Sequence, residues 1–255
     1  MTDFIPLPDL LNEPAHLALA AAAVAVAYAV FTLVGFGSAL FASAPLGLVM
    51  PVGKVVPMLA MLDFAGSSLR GWRARKEVAW GEFVRLLPGM LAGQLLGVLF
   101  LARLPASVMA VTLGLFIAIQ GVKGLVKGAP GTRTPRFPFA HGLFGGVLGG
   151  LFGSGGFVYA SYLERRLESR TAFKATQAVL IALSTAWRIV LCLSVGLLDL
   201  KLLVTALAFV PVMALGVYAG HHIDLRISRE QLFAVLNALL VVSGASLAIR
   251  FLGWL

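Results

Sequence analysis

The chain is poor in charge, and poorest in acid. Charged residues occupy 12% of its 255 positions, and 11 acidic side chains stand against 20 basic ones. Ordinary soluble domains carry about 25% charged residues, so a water-soluble globular fold is excluded. Cysteine occurs once, at Cys192. That rules out an internal disulfide and leaves a small residue buried in an apolar run. Of the four histidines, His141, His221 and His222 fall at the edges of apolar runs. They lack metal-ligand companions, so they read as structural, and neither a metal nor a cofactor is expected. Polar sequence is scarce too. Its longest stretch, Lys123 to Arg136, is a basic loop rich in Gly and Pro, which leaves no separate soluble domain. The first residues carry Asp3, Asp9 and Glu13 but no Lys or Arg before Pro14. That reverses a signal peptide's basic start and suggests an N-terminus left outside.

What is abundant is apolar sequence in runs of membrane length. Leu86–Ala102, Ala106–Val122, Ala175–Leu198, Leu202–Gly220 and Leu232–Ile249 each reach the roughly 17–25 residues that cross a hydrocarbon core. The expectation is a single integral membrane domain over 1–255, all-α and polytopic, with the lipid bilayer as its solvent. A net charge of +9 would suggest nucleic acid in a soluble protein. Here the basic residues sit in short loops between apolar runs, where the positive-inside bias accounts for them, and no nucleic-acid partner is expected.

One glycine break occurs twice, half a chain apart. Gly35-Phe36-Gly37-Ser38 is echoed by Gly149-Gly150-Leu151-Phe152-Gly153-Ser154-Gly155-Gly156. Trp72-Arg73 and then Pro88, Gly93 and Gly97 follow the first copy, as Trp187-Arg188 and then Pro211, Gly216 and Gly220 follow the second. Duplication with interrupted helices is the sequence signature of a secondary transporter. The division expected is repeat one over 15–127, a cytoplasmic linker over 128–137 and repeat two over 138–252.

Charge then sets the topology. Eight simple crossings split the loop Lys and Arg almost evenly between the two sides. If each broken segment instead returns the chain to the side it came from, the inside loops become 70–85, 123–136, 164–174 and 221–230. Only Lys54, Arg103, Lys201 and Arg250 are then left outside, the bias that short loops obey. Pro138 to Leu163 is also too short for two crossings, which need about 40 residues. Ala15 to Met50 suits either a hairpin or two tilted crossings, with the same parity. Each repeat is thus a Gly-broken hairpin plus three transmembrane helices, and the second lies inverted. Inverted repeats supply two near-equivalent conformations, the basis of alternating access.

Unwound backbone within a bilayer is tolerated where it lines a polar cavity. Gly35, Gly37, Gly153, Gly155 and Gly156 permit the turn, while Ser38 and Ser154 stand near the first turn of the returning half-helix. Free amides and the positive dipole end there favour an anion. Asp63 lies about 14 Å of helix past Lys54, near the midplane, as a candidate carrier of a coupling proton or a partner for a buried base. Arg188, about 21 Å past Lys174, lies beyond the midplane. It is either an anion ligand or a side chain that snorkels outward, because its sequence counterpart Arg73 ends a loop. Gln177, Ser184 and Thr185 are the best-placed polar groups on the helix after the second break. Gly93 with Gly97, and Gly216 with Gly220, read as close helix packing, and Trp72 and Trp187 as interfacial or packing residues. A serine hydrolase built on Ser154 fails, since Phe152 stands where a Gly-x-Ser-Gly needs glycine and no histidine lies mid-helix to serve as base. No enzyme is expected. A passive anion channel on the same breaks is the remaining alternative, against which inverted repeats and Asp63 favour a carrier.

The two openings, GFGSALFASAPL and GGLFGSGGF, each followed by the Pro-x4-Gly-x3-Gly pattern, resemble the sulfite exporter TauE/SafE family, also called the toluene-sulfonate uptake permease family. The resemblance covers about residues 17 to 250. It implies movement of sulfur-containing anions, sulfite or organosulfonates, across the bacterial inner membrane. It also selects Gly35, Gly37, Ser38, Gly153, Ser154, Gly155 and Gly156 as signature residues. The first copy departs from the second in having Ala39-Leu40 where Gly155-Gly156 stand.

Overall fold

A computed structural model of the chain describes residues 13–34, 37–126, 137–222 and 229–252. They form ten α-helices in two sets of five. The first set is α1 (Pro14–Val34), α2 (Ser38–Val49), α3 (Val52–Arg73), α4 (Trp80–Arg103) and α5 (Ala106–Val126). The second is α6 (Pro138–Phe152), α7 (Gly156–Leu163), α8 (Arg170–Ser194), α9 (Leu200–His222) and α10 (Arg229–Leu252). Each set opens with a broken pair and continues with three long helices. Six helices among the described residues, α1, α3, α4, α5, α8 and α9, are long and apolar enough to cross a membrane. Leu95, Phe100, Leu115, Ile119, Val204 and Leu215 point outward from the bundle, which suits lipid as the surrounding solvent. The expected linker, 128–137, lies outside the described residues apart from Phe137.

Local chemistry sets the helix ends. Pro138 opens α6, where a missing N–H costs nothing. Ser169 caps α8 by accepting from the Ala172 amide at 3.2 Å. α8 stops at Gly196, whose φ of +73° closes a Schellman turn: Leu197 N–H donates to the Cys192 carbonyl and Gly196 N–H to that of Leu193. Pro45, Pro57, Pro88 and Pro211 lie inside helices, a use of proline that membrane helices tolerate.

Helix pairing follows the glycines. Gly89, Gly93 and Gly97 of α4 meet backbone at residues 139–143, 143–147 and 147–151 of α6, so the two helices run parallel. Gly142, Gly146 and Gly150 return the contact on Leu86, Met90 and Gln94. Gly216 and Gly220 of α9 meet Ala25 and Ala29 of α1 in the same parallel sense. These are small-residue seams that let backbones touch, as the sequence led one to expect. By contrast, α5 and α10 run antiparallel, Gly114 facing Ala248 and Gly121 facing Asn237. α3 and α8 are antiparallel too: Lys54 donates to the Leu197 carbonyl at one end, and Gly71 meets Val179 near the other.

The bundle therefore has two distinct ends. One gathers the last turn of α3, the first turns of α4 and α8 and the end of α7. Ala79 N–H donating to Thr176 Oγ1 at 2.9 Å joins them there, as does Glu82 accepting from Tyr162 and Arg166 at 2.6 and 2.8 Å. Arg70, Arg73, Arg75, Lys76, Arg85, Arg165, Arg166, Arg170 and Lys174 belong to this basic end. The other end holds Lys54 with Asp199, and Arg250 donating to the Leu48 carbonyl at 3.0 Å.

Candidate functional site

Both breaks use the same backbone device. Gly37, before the first residue of α2, has φ +98°, and Gly153, after the last residue of α6, has φ +72°. This left-handed region is open to glycine at little cost. At break one the chain restarts at once as helix, so the amides of Ser38, Ala39 and Leu40 precede the first intrahelical donor, Phe41 N–H on the Gly37 carbonyl. At break two, Gly153 N–H still reaches the Gly149 carbonyl and Ser154 N–H that of Leu148. α7 then begins at Gly156. Glycine at 155 has its own cause: a Cβ there would strike the Gly145 carbonyl of α6. Ala39 stands in the matching stretch of break one. It presents its methyl to Gly153.

The breaks meet around one cavity. Phe31 of α1, Gly37 and Ser38, and Asp63 of α3 line one side. Gly149 and residues 153–156 supply the second, and Ile181, Ser184, Thr185 and Arg188 of α8 the third. Asp63, 3% exposed, accepts at Oδ1 from Tyr28 Oη at 2.7 Å and Ser38 Oγ at 2.6 Å. Arg188, 2% exposed, donates through Nη1 to the Gly149 carbonyl at 2.8 Å, and its Nη2 lies 4.0 Å from Asp63 Oδ2. Its Nε and the Ser154 hydroxyl are buried without a hydrogen-bond partner. An acid and a base thus share one cavity with an unused hydroxyl and helix-end amides. Such a set of groups can hold a small oxyanion and a proton.

Most of the residues expected from sequence are gathered here: Gly37, Ser38, Asp63, Gly153, Ser154, Gly155, Gly156 and Arg188. Gly35 lies outside the described residues. Gln177 is absent from the cavity wall. Its Nε2 donates to the Gly156 carbonyl at 2.7 Å, so it steadies the start of α7. The outward snorkel considered for Arg188 is overturned, since the side chain turns inward and is fully buried. Its sequence counterpart Arg73 lies in a different setting. Arg73 is the exposed last residue of α3, whereas Arg70 and Arg188 each stand 18 residues beyond the first residue of their helix. Trp187 packs, its Nε1 donating to the Leu91 carbonyl at 3.3 Å, while Trp72 is exposed. Ser184 accepts from Gln94 Nε2 at 2.5 Å, and Thr185 bonds back to the Ile181 carbonyl.

Tyr28 and Phe31 escaped the sequence reading. The one available signal was an aromatic pair in an otherwise alanine-rich helix, too weak to separate a ligand-side phenol from packing.

Comparison with known proteins supplies a family. The family model described as "Sulfite exporter TauE/SafE" matches residues 19–247. The "Probable inner membrane transporter protein TsaS" of Comamonas testosteroni is 27% identical over 193 residues, 74% of this chain and 81% of the relative. The "Probable sulfite/organosulfonate exporter TauE" of Cupriavidus necator is 27% identical over 232 residues, 85% of this chain and 87% of the relative. No solved structure matches. With the family model spanning nearly the whole chain and the helices long enough to cross a bilayer, this is a multi-pass inner-membrane transporter and not an enzyme, and it belongs to the sulfite exporter TauE/SafE family.

Proposed function

We propose that the protein is a secondary carrier for a sulfur-containing anion, a sulfonate, sulfite or a related oxyanion, that binds between the two Gly-Ser breaks and crosses by alternating access. The observation that carries this reading is the cavity shared by both breaks, in which the Arg188 guanidinium and the unpartnered Ser154 hydroxyl face the amides of α2. A tetrahedral or pyramidal oxyanion offers several acceptors to such donors, and Arg matches paired oxygens well. The description of the family and the printed name of the Cupriavidus necator relative support the sulfur chemistry.

Asp63 supplies the coupling. While ionised it neutralises Arg188, so an arriving anion competes with it. Protonation of Asp63 frees the guanidinium, and anion and proton then favour one another's binding, a reciprocity that linkage requires. Alternating access finds support in the helix pairing. Counterpart helices α3 and α8 run antiparallel, as do α5 and α10. The pairing of α4 with α6 is repeated by α9 with α1. A pseudo-two-fold axis perpendicular to the helices accounts for both patterns, with repeats over 15–127 and 138–252. The basic end is then the cytoplasmic one, and the start of α1 and the end of α10 lie on the outer side.

The test is thermal stability of the purified protein with sulfite, thiosulfate, sulfate, taurine, an aromatic sulfonate and matched carboxylates. A ligand at a hundred times its dissociation constant adds about 2.7 kcal/mol, visible as a shift in melting. Stabilisation by one sulfur anion, followed by proton-driven uptake of it into liposomes, is expected. Stabilisation by carboxylates alone overturns the substrate class.

A further inference from the structure

Arg70 is the basic residue that the central site leaves unused. It stands seven residues past Asp63 on α3, about 10 Å toward the basic end, in the helix register that Arg188 occupies on α8. Its Nε donates to the Gly66 carbonyl at 3.2 Å. Its guanidinium lies 4.1 Å above the Phe31 ring, and its Nη2 is buried with no hydrogen-bond partner. Phe31 is 2% exposed and is also part of the cavity wall. Its ring rests near Gly66, where a Cβ would come within 3.7 Å of Cε1, and it stacks edge-on against Tyr28 at 5.6 Å. One aromatic side chain therefore touches both an outlying cation with a spare donor and the cavity that holds Arg188.

We infer that Arg70 is a second anion-binding residue, at the mouth of the path on the basic end, and that Phe31 is the gate between it and the central cavity. This rests on the transporter reading for the identity of the anion. The cation draws the anion in, its spare N–H receives it, and a turn of the Phe31 side chain passes it to Arg188. A cation held over a ring face keeps its charge available while the ring blocks the way.

The test needs no substrate. In a Cys192→Ala background, Ser154→Cys places a thiol in the cavity. It is then labelled from the basic end with a negatively charged methanethiosulfonate and, separately, with a neutral one. Phe31→Ala is expected to accelerate both reagents. Arg70→Gln is expected to slow the anionic reagent about tenfold and the neutral one by less than about twofold, as electrostatic steering requires. Equal slowing of both reagents makes Arg70 merely structural, and no acceleration with Phe31→Ala removes the gate. Should Ser154→Cys fail to fold, sulfite uptake in vesicles of each orientation replaces it. Arg70→Gln must then raise KM from the basic end only, and a change at both faces overturns the inference. Charge-selective labelling without any binding of sulfur anions would instead refute the substrate while leaving the gate in place.

Discussion

The two breaks share the sequence Phe-Gly-Ser and a left-handed glycine, yet they carry opposite charge. Break one gives its serine hydroxyl to Asp63, which Tyr28 also serves. Break two lies against Arg188, and its serine is unpartnered. The backbone device is the same at both, while the side chains around it form an acid half and a base half. Removing either charge should therefore have the largest effect. Stripping one member from a buried pair leaves the other uncompensated, at about 3–5 kcal/mol. Arg188→Gln and Asp63→Asn should each lower the melting temperature strongly, and the double variant should lose less than the two together. Additive losses would mean that the 4.0 Å approach carries no coupling. In liposomes, Asp63→Asn should uncouple anion flux from the proton gradient.

Glycine substitutions separate the breaks at the next level. Alanine in the left-handed region costs about 1–2 kcal/mol. Gly37→Ala adds little to that, because the Phe41 ring sits 3.6 Å from the new Cβ. Gly196→Ala meets nothing within 4 Å and sets the baseline. Gly153→Ala adds a clash, its Cβ falling 2.8 Å from Arg188 Nη1 and 2.9 Å from Ala39 Cβ. Thermal unfolding should rank Gly153→Ala well below the other two, and equal losses would show that Arg188 can move aside.

The serines sharpen the contrast further. Ser38→Ala deletes a buried hydrogen bond to a carboxyl group and should cost about 1–3 kcal/mol. Ser154→Ala removes a hydroxyl that has no partner, so stability should change by no more than about 0.5 kcal/mol. Anion binding, measured by titration, should weaken in the Ser154 variant. A Ser154 variant as unstable as the Ser38 one would show that its hydroxyl is bonded within the fold.

How far sequence alone reached follows from the kind of signal each feature gives. The paired breaks and the long helices were legible because membrane spans leave composition marks and glycine leaves a conformational one. The segment Pro138 to Leu163 was marked out before its two helices, which occupy those bounds. Asp63 was legible as a lone acid in apolar sequence. Arg188 was only half legible, since depth along a helix is readable and rotation about its axis is not. By helix register Arg70, three residues from Arg73 and thus nearly on the same face, stands where Arg188 does. Tyr28 and Phe31 were invisible for the same reason. They reach across from α1 to Asp63, Gly66 and Arg70 of α3, and a long-range contact leaves no local pattern.

The second ion pair on the seam between α3 and α8 is the counterpoint, and it carries the smallest prediction. Lys54 Nζ lies 2.7 Å from Asp199 Oδ2, but both side chains meet solvent. Asp199 also caps α9, its Oδ1 accepting from the Leu202 amide at 2.8 Å. The Lys54 hydrogen bond first, and the Leu202 amide second, hold its carboxyl below the ordinary carboxylate range. A depressed folded value means that the stabilisation is complete above the unfolded value of about 3.9 and fades as pH falls through the folded one. Asp199→Asn keeps a good cap and should cost only the pair, about 0–1 kcal/mol at neutral pH. Asp199→Ala loses the cap as well, adding about 1 kcal/mol. The gap between wild type and Asp199→Asn should shrink in high salt and close once the pH drops well below about 4. A gap that persists in acid would assign the effect to the shape of the cap instead of its charge. The seam would then owe nothing to its outer ion pair, and its electrostatics would reside wholly in the buried one.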